Sequence, residues 1–231
     1  IWDGEYPWDV RAEKVSRALT AAGHDVHMVA RNRDRRIRRE RLEECTVHRL
    51  APWSLLGRSL DAASQFPAFF NPRWLSIVLR VARAERCESI LVRDLPLAPT
   101  AIAAGQLLGV PVVLDMAENY PAMIRDLWAT VEAVERWTLA RVAHTLVVVE
   151  ESRDRLVARL GTPPDRITVV GNTPSIKRLS TTTRRTPVAP EAAPGTPSLE
   201  VVYLGLLEHA RGVGTVISAV ARCRALGIGV R

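Results

Sequence analysis

The chain has 231 residues, of which 47% are hydrophobic and 25% are charged. This composition is typical of a globular protein with a substantial core, and it excludes a disordered chain. The net charge of +7 favours anionic partners, which include phosphates, anionic lipid headgroups and nucleic acid.

Three cysteines, Cys45, Cys87 and Cys223, have no paired spacing, so the sequence predicts no disulfide framework and no zinc site. The five histidines also lack a neighbour at metal-ligand spacing. Free cysteines favour a reducing, cytoplasmic location.

Short apolar runs alternate with helical periods from the first residue to about residue 174. The predicted strands are IWD, DVHMVA, TVHRLA, SILVRD, PVVLD, TLVVV and RITVV. Helices are predicted over 10–22, 55–70, 74–86 and 98–108, and in the remaining gaps. Strands rich in Val, Ile and Leu, without polar alternation and separated by helices, indicate a parallel sheet covered on both faces. The predicted fold is therefore α/β, a doubly wound, Rossmann-like domain over 1–176.

A stretch rich in Thr, Pro and Ala, KRLSTTTRRTPVAPEAAPGTPS, follows this domain and predicts an exposed linker over 177–198. A buried strand over 201–203, a turn at Gly205 and a helix over 212–226 then resemble the start of a second α/β unit, 199–231. Because one strand and one helix have no core to bury against, we expect this unit to be incomplete. Two such units would face one another across a ligand-binding cleft.

The start of the last predicted helix contains Gly212-Val213-Gly214, but Ile217 occupies the place of the third glycine of a dinucleotide fingerprint. A helix amino terminus preceded by Arg211 instead suits a diphosphate, which backbone N–H groups and a guanidinium would bind. An exposed arginine with no ligand is the other interpretation.

Three stretches resemble glycosyltransferase family 4, whose members have the GT-B fold of two facing Rossmann-like domains. They are DGEYPWDVRAEKVSRALTAAGHDVHMVARN, VVVEESRDRLVARLGTPPDRITVVGNTPS and VVYLGLLEHARGVGTVISAV. They occur in the family's order and span nearly the whole chain. The resemblance implies an acceptor-binding first domain and the start of a nucleotide-sugar-binding second domain.

The resemblance also implies roles for individual residues. Acceptor binding is expected from the first domain: Tyr6, Asp9, Arg11, Arg93, Asp94 and Asn119. Donor binding is expected from Gly205, Arg211 and Gly212, and Glu118 is the predicted catalytic residue, orienting the acceptor or stabilising the sugar. A local ion pair between Asp9 and Arg11, or helix capping by Asp115 or Glu118, would be purely structural alternatives. No cofactor and no bound metal are expected.

The sequence departs from the family at several positions. Leu206 replaces a basic residue of the donor turn, while Arg211 occupies the position of a lysine. Ala117 stands where a histidine is expected, with Glu118 after it, and Glu150 replaces a serine. The family's paired glutamates of the donor domain do not occur before residue 231, so we expect this stretch alone to be inactive.

The implied activity is transfer of a hexosyl group from a nucleotide-diphosphate sugar to an acceptor hydroxyl, with retention of configuration, in glycan, polysaccharide or glycolipid synthesis. A sugar-nucleotide epimerase and a non-catalytic subunit are alternatives with the same fold. A basic nucleic-acid-binding module is a further alternative, but the aromatic residues are not interleaved with basic ones on predicted strands, so no nucleic-acid partner is expected.

Two stretches favour peripheral attachment to the inner face of an anionic membrane and a glycan or lipid-linked acceptor. RNRDRRIRRERLEE is a dense arginine run, and the region 53–80 combines aromatic and basic residues. Its members are Trp53, Phe66, Phe69, Phe70 and Trp74, with Arg58, Arg73 and Arg80. A solvated loop and core aromatic residues are the structural alternatives.

Overall fold

The computed structural model describes residues 1–33, 36–51, 70–124, 127–173, 199–205 and 212–230. The chain divides into two compact units, Ile1–Thr173 and Pro174–Arg231, and each is considered by itself. The helix predicted over 55–70 lies outside the described residues except for Phe70. The described residues also exclude Trp53, Arg58, Phe66, Phe69, Leu206 and Arg211.

The first unit alternates strands and helices along the chain. The strands are β1 His27–Ala30, β2 Arg39–Arg41, β3 Thr46–Arg49, β4 Ile90–Arg93, β5 Val112–Met116, β6 His144–Val147 and β7 Ile167–Val169. The helices are α1 Val10–Ala21, α2 Pro72–Ala84, α3 Ala98–Leu108, α4 Tyr120–Met123, α5 Trp128–Leu139 and α6 Glu150–Leu160. Short 3₁₀ turns cover Leu95–Leu97 and Pro164–Arg166.

Local chemistry explains where the helices begin and end. The side chain of Asn71 caps α2 by accepting from the backbone N–H groups of Arg73 at 3.0 Å and Trp74 at 3.4 Å. Helix α3 ends at Gly109, which has a left-handed conformation (φ 69°) that an L-residue adopts only with strain. The predicted bounds of α3, 98–108, are therefore confirmed.

The described strands of the first unit form two groups of paired strands, one of four and one of three. Strands β4, β5, β6 and β7 are parallel neighbours in that order, while β1 pairs parallel and β2 antiparallel with β3. Ile1 and Trp2 lie between the two groups and join β1 to β4. The Trp2 N–H donates to the Val29 carbonyl, and the Arg93 N–H donates to the Ile1 carbonyl, both at 2.9 Å. The parallel strands therefore present their carboxyl ends at one edge of a continuous sheet.

The doubly wound α/β fold predicted from the sequence is confirmed, with two differences in detail. Strand β2 lies inside the arginine run, which has no apolar period and did not predict a strand. In the second unit a helix, α7 Val213–Ala225, is present as predicted, but the buried strand expected over 201–203 is wrong. Val202 is 79% exposed, and the described part of this unit has only an isolated bridge between Leu199 and Val230. Without a paired neighbour or a covering helix, the apolar residues of 201–203 do not form a strand.

The main core lies between the sheet and helices α2 and α3, where Trp74, Val92 and Leu114 are fully buried. The predicted membrane-facing role of Trp74 is therefore wrong, and the core alternative is the correct one. Phe70, at 60% exposed, packs edge-on against Trp137 at a centroid distance of 5.7 Å.

The helices of the described ranges are short or carry charged residues. None of the helices there combines the length and the apolar character needed to cross a bilayer.

Replacing Trp74 with alanine is expected to lower the free energy of unfolding by about 3–5 kcal/mol, because it empties a large, fully buried site. Urea unfolding of Trp74→Ala and of the exposed control Phe70→Ala measures this. The control is expected to change the free energy by less than about 1 kcal/mol. Equal losses in the two variants would contradict the placement of Trp74 in the core.

Candidate functional site

A buried ion pair organises the carboxyl edge of the sheet. Asp115, near the end of β5, is 1% exposed and accepts three hydrogen bonds from Arg11 of α1. Nε of Arg11 donates to the two carboxylate oxygens at 2.9 Å and 3.0 Å, and Nη2 donates to Oδ1 at 2.5 Å. Nη1 of Arg11 donates to the Val170 carbonyl at 2.7 Å. The fork of the guanidinium therefore fixes α1 to the ends of β5 and β7.

A second arginine, Arg93 at the end of β4, adjoins this pair. Its Nη2 donates to Asp9 at 3.0 Å, and its Nη1 lies 3.6 Å from the carboxylate of Asp115. The guanidinium also stacks over the Trp2 ring, 4.8 Å from the centroid. Asp9 in turn caps α1 by accepting from the Ala12 N–H at 2.7 Å. The predicted ion pair of Asp9 with Arg11 is thus replaced by the pairs of Asp9 with Arg93 and Arg11 with Asp115.

Asp94 follows Arg93 in a conformation that L-residues rarely adopt, with φ 66° and ψ 162°. Its carboxylate accepts from the Ala117 N–H at 3.0 Å and lies 3.7 Å from Nε of Arg93. Burial raises the pKa of Asp94 to about 6, against a smaller opposing effect of Arg93. Strained backbone and a perturbed pKa at a strand end are typical of functional sites.

The loop after β5 carries the remaining predicted residues of this edge. Glu118 is exposed, and its charge helps to raise the pKa values of Asp94 and Tyr120. Asn119 caps the short helix α4, accepting from the Ala122 N–H at 3.4 Å. The structure therefore brings Glu118 close to Asp94, and it gives Asn119 a capping contact.

Tyr6 is placed away from this edge. Its side chain is fully buried in a small cluster with Ala12, Cys45 and Val47, and its hydroxyl donates to Glu44 at 2.8 Å. Burial raises the pKa of Tyr6, and its hydroxyl is not available to an acceptor. The role expected of Tyr6 is therefore wrong for the side chain, because the Tyr-Pro loop turns the ring into the core.

In the second unit, Gly212 caps α7 with a left-handed conformation, φ 71°, in which a side chain would be strained. Gly205 is described and exposed, while Arg211 lies outside the described residues. The donor-binding roles of Gly205, Arg211 and Gly212 remain predictions.

Six ionisable side chains lie together at the carboxyl ends of β4 and β5 within the described part of the first unit: Asp9, Arg11, Arg93, Asp94, Asp115 and Glu118. These four carboxylates and two guanidinium groups carry a net negative charge when all are ionised. Carboxylates accept hydrogen bonds from hydroxyl groups, so the arrangement can bind and orient a polyhydroxylated molecule. Asp115 and Trp2 were not among the predicted site residues. The aspartate ending the apolar run VVLD was a signal for Asp115, whereas only the fold places Trp2 beside Arg93.

The family model described as a glycosyl transferase 4-like domain matches residues 9–173. The chain belongs to this family. The match covers more than two thirds of the sequence and includes all six charged residues of the edge. The chain therefore carries the domain of a glycosyltransferase, and the resemblance found in the sequence is confirmed. No curated protein sequence matches the chain.

Among solved structures, a sucrose-phosphate synthase from Thermosynechococcus elongatus is similar in fold to this glycosyl transferase 4-like chain. The TM-score is 0.55 at 14% sequence identity, with 74% of this chain and 88% of that chain covered. At this identity the likeness concerns the fold, and it agrees with the GT-B-like class predicted from the sequence.

The raised pKa of Asp94 predicts a pH-dependent effect on stability. The carboxyl group of Asp94 has a pKa of 3.8 in the unfolded chain and about 6 in the folded chain. Between these two pH values the unfolded chain has already lost the carboxyl proton while the folded chain keeps it, so the contribution of Asp94 to stability falls as pH rises. Asp94→Asn removes that penalty. Its stability relative to the wild type is expected to improve by roughly 2–3 kcal/mol between about pH 3.5 and about pH 7.

Denaturant unfolding of both proteins across this pH range measures the difference. The exposed residue Asp165 provides the matched control, since Asp165→Asn is expected to give a nearly pH-independent difference. A pH-independent difference for Asp94→Asn would contradict the raised pKa.

Proposed function

We propose that this chain is the acceptor-binding part, with the start of the donor-binding part, of a retaining glycosyltransferase that moves a hexosyl group from a nucleotide-diphosphate sugar to an acceptor hydroxyl. The convergence of Arg93, Asp94, Asp115 and Glu118 at one sheet edge of a glycosyl transferase 4-like domain carries the proposal. Ligands of open α/β sheets bind at this edge.

The proposed roles follow from exposure and contacts. Glu118 is the exposed carboxylate, so it would accept a hydrogen bond from the attacking hydroxyl and orient its oxygen towards the anomeric carbon. Asp94 and Arg93 are buried, so they would act by positioning the loop that carries Glu118, whose Ala117 N–H donates to Asp94. Buried Arg11 holds Asp115 in place. Arg211 and the amino terminus of α7 would stabilise the departing diphosphate without a metal.

The acidic edge also bears on the type of acceptor. Carboxylates of Asp9, Asp94 and Glu118 would repel a phosphate placed among them, so an uncharged saccharide group is the preferred acceptor. This preference concerns only the sugar that enters the site. A charged or lipid group farther along the acceptor would lie outside the site.

We further propose that the acceptor is membrane-proximal. Apolar side chains next to the edge are exposed: Trp8, Val10, Met123, Ile124 and Leu127. The arginine run contributes less than the sequence suggested, because Arg31 is buried against Asp3 and Arg39 and Arg41 pair with Glu85 and Asp25. Apolar insertion, supported by the net charge of +7, is the proposed means of attachment to an anionic bilayer.

Release of nucleoside diphosphate by the full-length protein from uridine, guanosine or adenosine diphosphate sugars, with and without saccharide acceptors, tests the transfer. Glu118→Gln is expected to lower kcat by about 100-fold or more, because it weakens the contact that orients the hydroxyl. Arg211→Ala is expected mainly to raise the KM for the donor. The exposed control Glu151→Gln, on α6, is expected to leave both values unchanged.

Other outcomes of this assay point to the alternatives. Conversion of the donor without an acceptor would indicate an epimerase, and donor binding without turnover would indicate a non-catalytic subunit. Salt-sensitive retention on nucleic acid, without donor binding, would favour the nucleic-acid-binding module. The anomeric configuration of the product, observed by NMR, tests retention.

Trp8→Ser is expected to weaken binding to vesicles of phosphatidylcholine and phosphatidylglycerol by about tenfold, because a 76%-exposed indole loses its apolar insertion. Co-sedimentation of protein and vesicles measures the bound fraction. The control is Leu107→Ser, a 61%-exposed residue at the end of α3 away from the site. Equal binding by the two variants would argue against attachment through Trp8.

A further inference from the structure

A cluster of ligand-type side chains lies at the opposite, amino-terminal edge of the sheet. Parallel pairing of β1 with β3 places His27 opposite Thr46 and His48 opposite Val29. The two imidazoles meet there, with Nδ1 of His27 3.1 Å from Nε2 of His48. Both side chains are shielded, since His27 is 5% and His48 9% exposed.

Glu85, which follows the last residue of α2, completes the cluster. Its carboxylate lies 4.0 Å from Nε2 of His27, and one ligand atom from each of Glu85, His27 and His48 lies within 4.8 Å of the others. A tetrahedral ion with bonds of about 2.0–2.1 Å holds neighbouring nitrogen ligands about 3.3 Å apart. The imidazole nitrogens are already at nearly this separation.

The second nitrogen of His27 has the partner that a metal-bound histidine needs. Its Nε2 lies 3.1 Å from a carboxylate oxygen of Asp25. When Nε2–H donates to Asp25, the lone pair of Nδ1 faces Nε2 of His48. A carboxylate that holds the far nitrogen of a ligand histidine is a common feature of zinc sites.

We propose that His27, His48 and Glu85 bind a divalent transition-metal ion of the zinc type, with Asp25 orienting His27. Two imidazoles and a carboxylate suit such an ion better than Mg²⁺ or Ca²⁺, which prefer oxygen ligands. A water molecule would supply the fourth ligand. The site is separate from the proposed sugar site and rests on different residues.

The charges around the cluster define what binding must overcome. Arg39 pairs with Glu85 at 3.2 Å, and Arg41 pairs with Asp25 at 3.3 Å. Both arginines are more than half exposed, so their side chains can move into solvent when an ion enters. Arg80, on α2, also places a positive charge near His48 and opposes a cation.

The position of the cluster indicates a structural role. The three ligands come from β1, β3 and the end of α2. His27 and His48 are 21 positions apart in sequence, and Glu85 follows His48 by 37 positions, so an ion would cross-link three distant elements. A cavity of about 450 Å³ beside α1, lined by Asp25, His27, Glu85 and Cys87, offers a path for entry. Metal binding would therefore stabilise the first unit.

Titration of the 231-residue chain with Co²⁺ and Zn²⁺ tests the proposal. We expect one Co²⁺ per chain, with the visible absorption bands of a four-coordinate ion, and displacement by Zn²⁺. Zinc at about 100 times its Kd is expected to raise the Tm by roughly 5–10 °C. His27→Gln, His48→Gln and Glu85→Gln should each abolish the Co²⁺ bands, while His144→Gln, a matched histidine outside the cluster, should keep them.

Asp25→Asn separates the proposal from a simple hydrogen-bonded histidine pair. The side chain of Asp25 is 69% exposed, so this variant should fold normally, yet it is expected to weaken Zn²⁺ binding by about 10–100-fold. Absence of saturable Co²⁺ bands in the folded wild type, or bands unchanged in Asp25→Asn and Glu85→Gln, would overturn the proposal. Circular dichroism establishes that each variant is folded before it is titrated.

Discussion

The buried ion pair of Arg11 and Asp115 is the interaction on which the rest of the first unit depends. Both side chains are almost fully removed from water, which costs several kcal/mol per ion unless every hydrogen-bonding group is satisfied. Asp115 is satisfied by three contacts from Arg11, and Arg11 also donates to the Val170 carbonyl. The pair therefore has one low-energy geometry. This geometry fixes the position of α1 against the ends of β5 and β7. It therefore also determines the shape of the sheet edge that carries Arg93 and Asp94.

Sequence patterns predicted the elements whose signals are local. Helix α3 was predicted with its observed bounds because prolines near its start and Gly109 at its end mark both termini. Strand β2 was missed because its residues, Arg-Glu-Arg, have no apolar pattern, and only pairing with β3 makes them a strand. The strand expected over 201–203 was wrong for the opposite reason: its residues favour a strand, but a strand needs neighbours.

The same distinction holds for the candidate site. The family resemblance implied roles for Asp9, Arg93, Asp94 and Glu118, and the structure brings these residues to one edge of the sheet. The resemblance did not predict which charges would pair, because the partners are 84 to 104 positions apart and meet only through the order of the strands. For the same reason, the sequence shows no neighbour at metal-ligand spacing for His27 or His48. Spacing along the chain carries no information about residues that parallel pairing brings together.

The first residues of the chain have a consequence for synthesis. Trp2 lies between β1 and β4, yet its neighbour Arg93 follows about 90 residues later. At about 5–20 residues per second, a ribosome needs several seconds or more to make the second neighbour. During that interval one side of the segment that contains Trp2 has no strand to pair with. A nascent chain of this protein therefore exposes an unpaired strand edge, and such an edge can pair with another chain.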